Sequence, residues 1–343
     1  MSAAIAVPEI LNPFPYQVNP HVERARSQLA EWTRRIGLVQ RESSRERFER
    51  ADFGWFAAVV YPTAGARHLE LMADWFAWLF LVDDQLDDGA VGQSLEQARE
   101  VVQGMRAVLE SPDHGAAAAV DPQLPTAVSS LADLWRRTAP GATVQWRRRF
   151  VRHLEECLRT AAVWEAGNRI RGIVPDAETY VVKRRHTGAI YVCMDLIDIV
   201  EGLDVPERVY SSAEFTAALN AACNVVCWTN DVYSLEKERS LGEVHNLVYI
   251  VQHHGGIDPS AAMAKVCTAV SAETELFLAD EQVLLRAHPD AAEVLVPYLA
   301  GMRSWMRGNL DWSRRTKRYH PAGQVDRARP QEYLEAELVK AGR

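Results

Sequence analysis

An all-α fold is what the sequence predicts, on three observations. Nearly every long segment after Pro20 repeats its apolar residues at helical spacing. The alternating runs closed by Asn-Gly turns that mark β-hairpins do not occur. Of the 343 residues, 48% are hydrophobic and 24% charged, a composition that fills a large core and excludes disordered, collagen-like and disulfide-scaffold proteins. One domain per roughly 150 residues would give two domains, yet every break in the pattern is short. A single domain over residues 1–343 is therefore expected.

The elements follow in chain order. Residues 1–20 form an N-terminal arm laid across the surface, because Pro13, Pro15 and Pro20 remove amide donors and bias their predecessors to extended backbone. Helices are expected near 20–37, 43–60, 65–88, 92–110, 123–138, 143–168, 176–200, 212–240, 242–254, 258–286 and 290–318. Tyr61-Pro62, Ser111-Pro112, Ala139-Pro140-Gly141, Val174-Pro175, Val205-Pro206 and Asp258-Pro259 supply their stops and starts. The Ala-rich stretch His114 to Val120 reads as a loop, and residues 320–343 as a C-terminal tail.

With 38 basic and 46 acidic residues the chain carries a charge of −8, the wrong sign for a nucleic-acid partner, whose phosphates need a basic face. The basic clusters Trp135-Arg136-Arg137 and Trp146-Arg147-Arg148-Arg149 read as solvated helix faces. Cys157, Cys193, Cys223, Cys227 and Cys267 are odd in number and lack paired spacing, which suits the reducing cytoplasm. Cys223 and Cys227, four apart in an apolar stretch, read as core filling. The N-terminus lacks a basic then apolar leader, and the longest apolar run, Trp75 to Val82, is too short to span a bilayer. A soluble, cytoplasmic protein without a membrane partner is expected.

That apolar run leads straight into Asp83-Asp84-Gln85-Leu86-Asp87-Asp88. Carboxylates four apart on a helix repel by roughly 0.2–0.5 kcal/mol per pair, and anions at a C-terminal end oppose the helix dipole. Something cationic is expected there; an all-oxygen, highly charged ligand set favours magnesium over zinc. A second polar stripe ends the apolar segment after Phe215. Asn230, Ser234 and Glu238 recur every four residues and share one helix face, a low-charge ladder of oxygen ligands suited to an ion already partly neutralised by phosphate.

In this combination the sequence resembles the class I terpene synthases of the bacterial sesquiterpene cyclase type. Their aspartate-rich motif matches Asp83, Asp84 and Asp87 or Asp88, and their Asn-Asp-x-x-Ser-x-x-Lys-Glu motif matches Asn230 through Glu238. Helical spacing leaves Arg184 and Arg185 equivalent; the family's diphosphate-sensing arginine, 46 positions before that asparagine, falls on Arg184. Thr187 and Gly188 then take the places of its linker and effector, with threonine where the family usually has an acid. The family's C-terminal Arg-Tyr pair matches Arg318-Tyr319, 80 positions after Glu238.

The resemblance implies a single α-helical bundle around a central active-site cavity. It also implies three Mg²⁺ ions held by Asp83, Asp84, Asp87 or Asp88 on one wall and by Asn230, Ser234 and Glu238 on the other. Arg184, Arg318, Lys237 and Tyr319 would grip the diphosphate of a prenyl substrate. The implied activity is ionisation of farnesyl diphosphate and cyclisation to a sesquiterpene hydrocarbon or alcohol, by a monomer or homodimer. Geranylgeranyl or geranyl diphosphate is the alternative substrate, a non-catalytic helical binding module the alternative class. Phe56, Phe80 and Trp312 are the first candidates for the cavity's aromatic faces, followed by Trp78, Tyr191, Trp228 and Trp305. His186, His253 and His254 lack ligand spacing and are expected in loops or on the surface.

Overall fold

Local signals set most helix ends in the computed structural model, which describes residues 5–87, 95–319 and 335–339. In order these are α1 (Val22–Ile36), α2 (Glu42–Ala51), α3 (Phe53–Val60), α4 (Ala66–Asp87), α5 (Leu95–Glu110), α6 (Thr126–Thr138), α7 (Val144–Arg159), α8 (Ala166–Arg171), α9 (Ala177–Thr187), α10 (Ile190–Glu201), α11 (Glu207–Tyr210), α12 (Ala213–Leu241), α13 (Leu247–Gly255), α14 (Pro259–Ala287) and α15 (Ala292–Arg315). No β-strand occurs among the described residues, and no described helix is long and apolar enough to cross a membrane. Ser212 and Asp258 accept hydrogen bonds from first-turn amides of α12 and α14, and Pro259 takes the first position of α14, where a missing amide costs nothing.

Three expected helices are interrupted. The 43–60 segment breaks at Asp52, held at φ 53° because its carboxylate caps the Trp55 amide and accepts from Arg26 Nε at 2.9 Å. The 143–168 segment loosens into a π-helical stretch at Thr160–Glu165. The 176–200 segment breaks between α9 and α10, where Ala189 takes a φ of 55°. The helix expected from 242 starts late, at Leu247, because Asn246 caps it.

Helix α12 packs along α14 and α15, while α3 lies between α1, α4 and α15. Buried apolar side chains from Ile10 to Leu338 form one continuous cluster. The arm is strapped to this body: Phe14 packs edge-on against Phe277, and the Asn19 amide donates to the Tyr61 and Ala64 carbonyls.

Burial corrects one reading of the basic clusters. Arg136 and Arg148 are exposed, but Arg149 is 3% exposed and pairs with Asp195 at 2.9 Å and with Asp198. The helix period turns this third arginine of its run inward, where a carboxylate pair compensates its charge.

Asp74, wholly buried on α4, accepts from Arg137 at 2.8 Å and Gln28 at 3.3 Å. Burial, only partly offset by Arg137, pushes its carboxyl up to about 7. The folded value lies above the unfolded one near 4, so the native state binds the extra proton. This group's stabilising contribution is complete in acid and is lost as pH rises through about 7. Asp74→Asn should remove that decline, seen as urea midpoints that differ less between about pH 4.5 and pH 8 than in the parent protein. An unchanged difference would contradict it.

Candidate active site

The C-terminal turns of α4 and the second half of α12 around Asn230 meet at one cavity. Asp83, Arg184 and Asn230 all line it, and it holds about 850 Å³ of unfilled space, counting its open mouth. Its deeper wall is apolar and includes Phe56, Phe76, Trp78, Phe80 and Trp305. Helix α4 reaches it through an apolar run that only a buried helix could carry, and that run delivers Asp83 to the rim.

The α12 side is a tight polar assembly. Arg184 Nη2 donates to Asn230 Oδ1 at 2.8 Å and its Nε donates to Asp231 at 3.0 Å. Asn230 Nδ2 donates to the Tyr319 hydroxyl at 2.6 Å, which brings residues 89 positions apart into one cluster. The Ser234 hydroxyl donates to the Asn230 carbonyl at 2.8 Å. The break after α9 places Thr187 and Gly188 on the cavity wall. A Cβ on Gly188 would stand 3.1 Å from the Arg184 carbonyl and 3.3 Å from Cys227 Sγ, so glycine permits the close approach.

On the α4 side Asp84 gathers three cations. Arg318 grips both carboxylate oxygens, at 2.8 and 3.0 Å, and Lys237 and Arg47 approach to 3.5 Å. Although burial opposes ionisation, these charges together hold the Asp84 carboxyl far below the usual range. Lys237 thereby ties the end of α12 to the end of α4.

Asp83 and Glu238 are less fully compensated: among the described residues neither has a cation partner in an ion pair, although Arg318 and Lys237 act on Asp83 and Arg184 acts on Glu238 from farther away. Burial pushes Asp83 up to about 6, with Asp84 adding to it, and Glu238 up to about 7, with Asp231 adding to it. Asp83, on the cavity lining, and Glu238, two helical turns along α12 from the lining residue Asn230, are carboxylates without a directly paired cation and fit a hard divalent cation. Among the described residues no three His, Cys or acidic side chains converge on one point. On α12 the Asn230 amide and Ser234 hydroxyl stand beside Glu238 as a mixed set of oxygen donors, which suits magnesium and not zinc.

Not every expected residue stands where the sequence placed it. Trp312 does not line the cavity: it is fully buried one layer behind, stacked on Phe56 with centroids 4.2 Å apart, its indole N–H given to the Ala51 carbonyl. Trp228 and Tyr191 are not on the lining either; Tyr191 donates to Asn220 at 2.6 Å. Asp84 stands at the expected helix end, with both oxygens accepting from Arg318. Asp87 is the last residue of α4, while Asp88 and residues 320–334 and 340–343 lie outside the described residues. His253 and His254 are exposed, but His186 is half-buried; burial pushes its imidazole down to about 4.

Three supporting residues escaped the sequence. Asp231, wholly buried, accepts from Arg184, from the Tyr180 hydroxyl at 2.7 Å and from the Leu247 amide at 3.0 Å. Tyr180 precedes Arg184 by one helical turn, a spacing that was legible. Asn246 donates to Glu238 Oε2 at 2.8 Å and to the Asp231 carbonyl at 2.7 Å while its own oxygen caps α13. No motif marks it. Asn246→Ala should release Glu238 and weaken magnesium activation by roughly 10–100-fold, read as a rightward shift in a magnesium titration of turnover. An unshifted titration would remove Asn246 from this role.

An all-α body with two oxygen-rich helix ends over an apolar pit defines the terpene synthase class. The family model "terpene synthase family 2, C-terminal metal binding" matches residues 74–275. The chain belongs to that family; it is a terpene synthase, a lyase acting on a prenyl diphosphate. It is 33% identical to a (+)-T-muurolol synthase of Roseiflexus castenholzii over 91% of this chain and 93% of the relative. With a pentalenene synthase of Streptomyces avermitilis it shares 31% identity over 90% and 91% of the two chains. Among solved structures, the linalool/nerolidol synthase of Streptomyces clavuligerus superposes with a TM-score of 0.78 at 28% identity, covering 89% of this chain and all of that one.

Proposed function

We propose that the protein is a magnesium-dependent sesquiterpene cyclase that ionises farnesyl diphosphate and closes the resulting cation into a cyclic hydrocarbon or alcohol. The observation that carries this reading is the juxtaposition of Asp83 and Asn230 on one apolar cavity. The named activity of the Roseiflexus relative, cyclisation of farnesyl diphosphate, favours a C15 substrate over the C10 and C20 alternatives.

Bound magnesium, three ions in this reading, would be held by Asp83 with its α4 neighbours and by Asn230, Ser234 and Glu238; it would stabilise the departing diphosphate as charge develops. The remaining work falls to the chain's own groups. Arg184 offers a guanidinium already oriented by Asp231 and Asn230. Arg318 and Lys237 exchange Asp84 for phosphate oxygens, and the Tyr319 hydroxyl adds a donor. The allylic C–O bond breaks and its electron pair leaves with diphosphate. The cation then sits among Phe56, Phe76, Trp78, Phe80 and Trp305, whose ring faces contribute roughly 0.5–2 kcal/mol each and exclude water until proton loss or a final water ends the sequence.

In this reading the protein works as a monomer or a homodimer. One catalytic domain suffices. Five unpaired buried cysteines fit a cytoplasmic setting. Incubation with farnesyl diphosphate and magnesium should give a volatile C15 product by gas chromatography–mass spectrometry and equimolar diphosphate. Failure with every prenyl diphosphate would reject the proposal.

A further inference from the structure

The cavity carries one kind of lining group that ionisation does not use. Cys157 of α7, Cys193 of α10 and Cys227 of α12 all line it, and none forms a disulfide. They converge on the α9–α10 break. Cys227 Sγ lies 3.5 Å from the Arg184 carbonyl, which also accepts the Gly188 amide, and Cys157 Sγ lies 3.9 Å from the Thr187 carbonyl, so both thiols donate to carbonyls at the end of α9. Cys193 is anchored by the Tyr61 hydroxyl, which donates to its carbonyl at 2.7 Å, and it stands within electrostatic reach of the other two sulfurs.

Cys157 and Cys227 spend their thiol hydrogens on carbonyls and line the cavity together with Cys193. Sulfur is polarisable and only a weak acceptor. It can lean electron density toward a nearby positive charge without the basicity of a carboxylate or the bound water that a hydroxyl attracts. Burial also pushes the Cys227 thiol up to about 12 and the other two up as well, so the wall presents neutral thiols at neutral pH.

We infer that Cys157, Cys193 and Cys227 are specificity-determining residues of the cyclisation, a soft wall at the helix break that steers the migrating cation and so selects the product. This rests on the cyclase reading above. It concerns which product forms and leaves open how fast diphosphate departs.

The test makes Cys157→Ser, Cys193→Ser and Cys227→Ser, which keep size and hydrogen bonding but replace sulfur by less polarisable oxygen, with the three alanine variants alongside. With farnesyl diphosphate and magnesium, diphosphate release and product ratio are measured on the same samples. The share of the main product should fall at least about twofold in at least two of the three positions, with other C15 products replacing it. A product ratio unchanged at all three positions would overturn the inference, and so would loss of diphosphate release with the ratio intact. If the parent protein releases no diphosphate, the cyclase reading fails separately. The wall is also read without turnover, by N-ethylmaleimide labelling and peptide mapping of the parent protein. Nerolidol, a C15 alcohol, should slow the labelling of Cys157, Cys193 and Cys227 at least about fivefold and leave that of Cys223 and Cys267 unchanged. Labelling of those three unaffected by nerolidol would equally refute it.

Discussion

Arg184→Ala should abolish turnover and destabilise the fold at once. The guanidinium is the only cation on Asp231 among the described residues, and Asp231 is wholly buried. Removing one partner of a buried ion pair strands the other, at a cost of about 3–5 kcal/mol, although the Tyr180 hydroxyl and the Leu247 amide still donate to Asp231. Loss of a preorganised cation at the departing diphosphate should lower kcat by at least about 100–1,000-fold. Arg184→Lys keeps the charge but cannot make both the Asn230 and Asp231 bonds, so it should recover stability more than rate. Diphosphate release and chemical denaturation, measured together, check this. A variant of parental stability and near-parental rate would move the diphosphate site elsewhere.

Asn230→Ala should separate the two effects. Asn230 is half-buried at the cavity rim, and its amide links Arg184 to Tyr319. Alanine leaves no buried charge unpaired, because Arg184 keeps Asp231. Stability should therefore stay within about 1 kcal/mol of the parent, while turnover falls at least about 100-fold through loss of an oxygen ligand and of the Tyr319 orientation. Asn230→Asp restores an oxygen ligand but not the amide donor to Tyr319, and should recover part of the rate at raised magnesium. A kinetic profile of Asn230→Ala that matches the parent would remove this residue from the metal wall.

The residues that were legible share a property. Asp83, Asn230, Ser234 and Glu238 lie on the long helices α4 and α12, whose period fixes neighbours four residues apart, and carboxylates or amides ending an apolar run violate local preference openly enough to be noticed, whereas Arg184 was told from Arg185 only by the family's register. Trp312 shows the limit. It sits one turn from the cavity-lining Asn309 on a helix that does line the cavity, but whether a ring lies at the surface of a pit or one layer behind depends on what Phe56 does, and Phe56 is 256 positions away. Asp84 shows it differently. Nothing in Asp83-Asp84 distinguishes two adjacent carboxylates, yet neighbours on a helix point about 100° apart, and only the packing of α2 and the end of α15 decides that Arg47 and Arg318 meet the second of them.

The chain alone determined that this protein is helical and that two oxygen-rich helix stretches exist, because periodicity acts over a few turns of one helix; the resemblance of its motifs to the terpene synthases implied a lyase acting on a prenyl diphosphate as the chemistry to seek. Tertiary structure decided which aromatic rings face the pit, that Asp231, Tyr180 and Asn246 brace Arg184 and Glu238, and that three thiols gather at a break in a segment that reads as one continuous helix. Those outcomes depend on contacts between residues far apart in sequence, where the geometry of each helix is set by its neighbours and no local pattern carries the information.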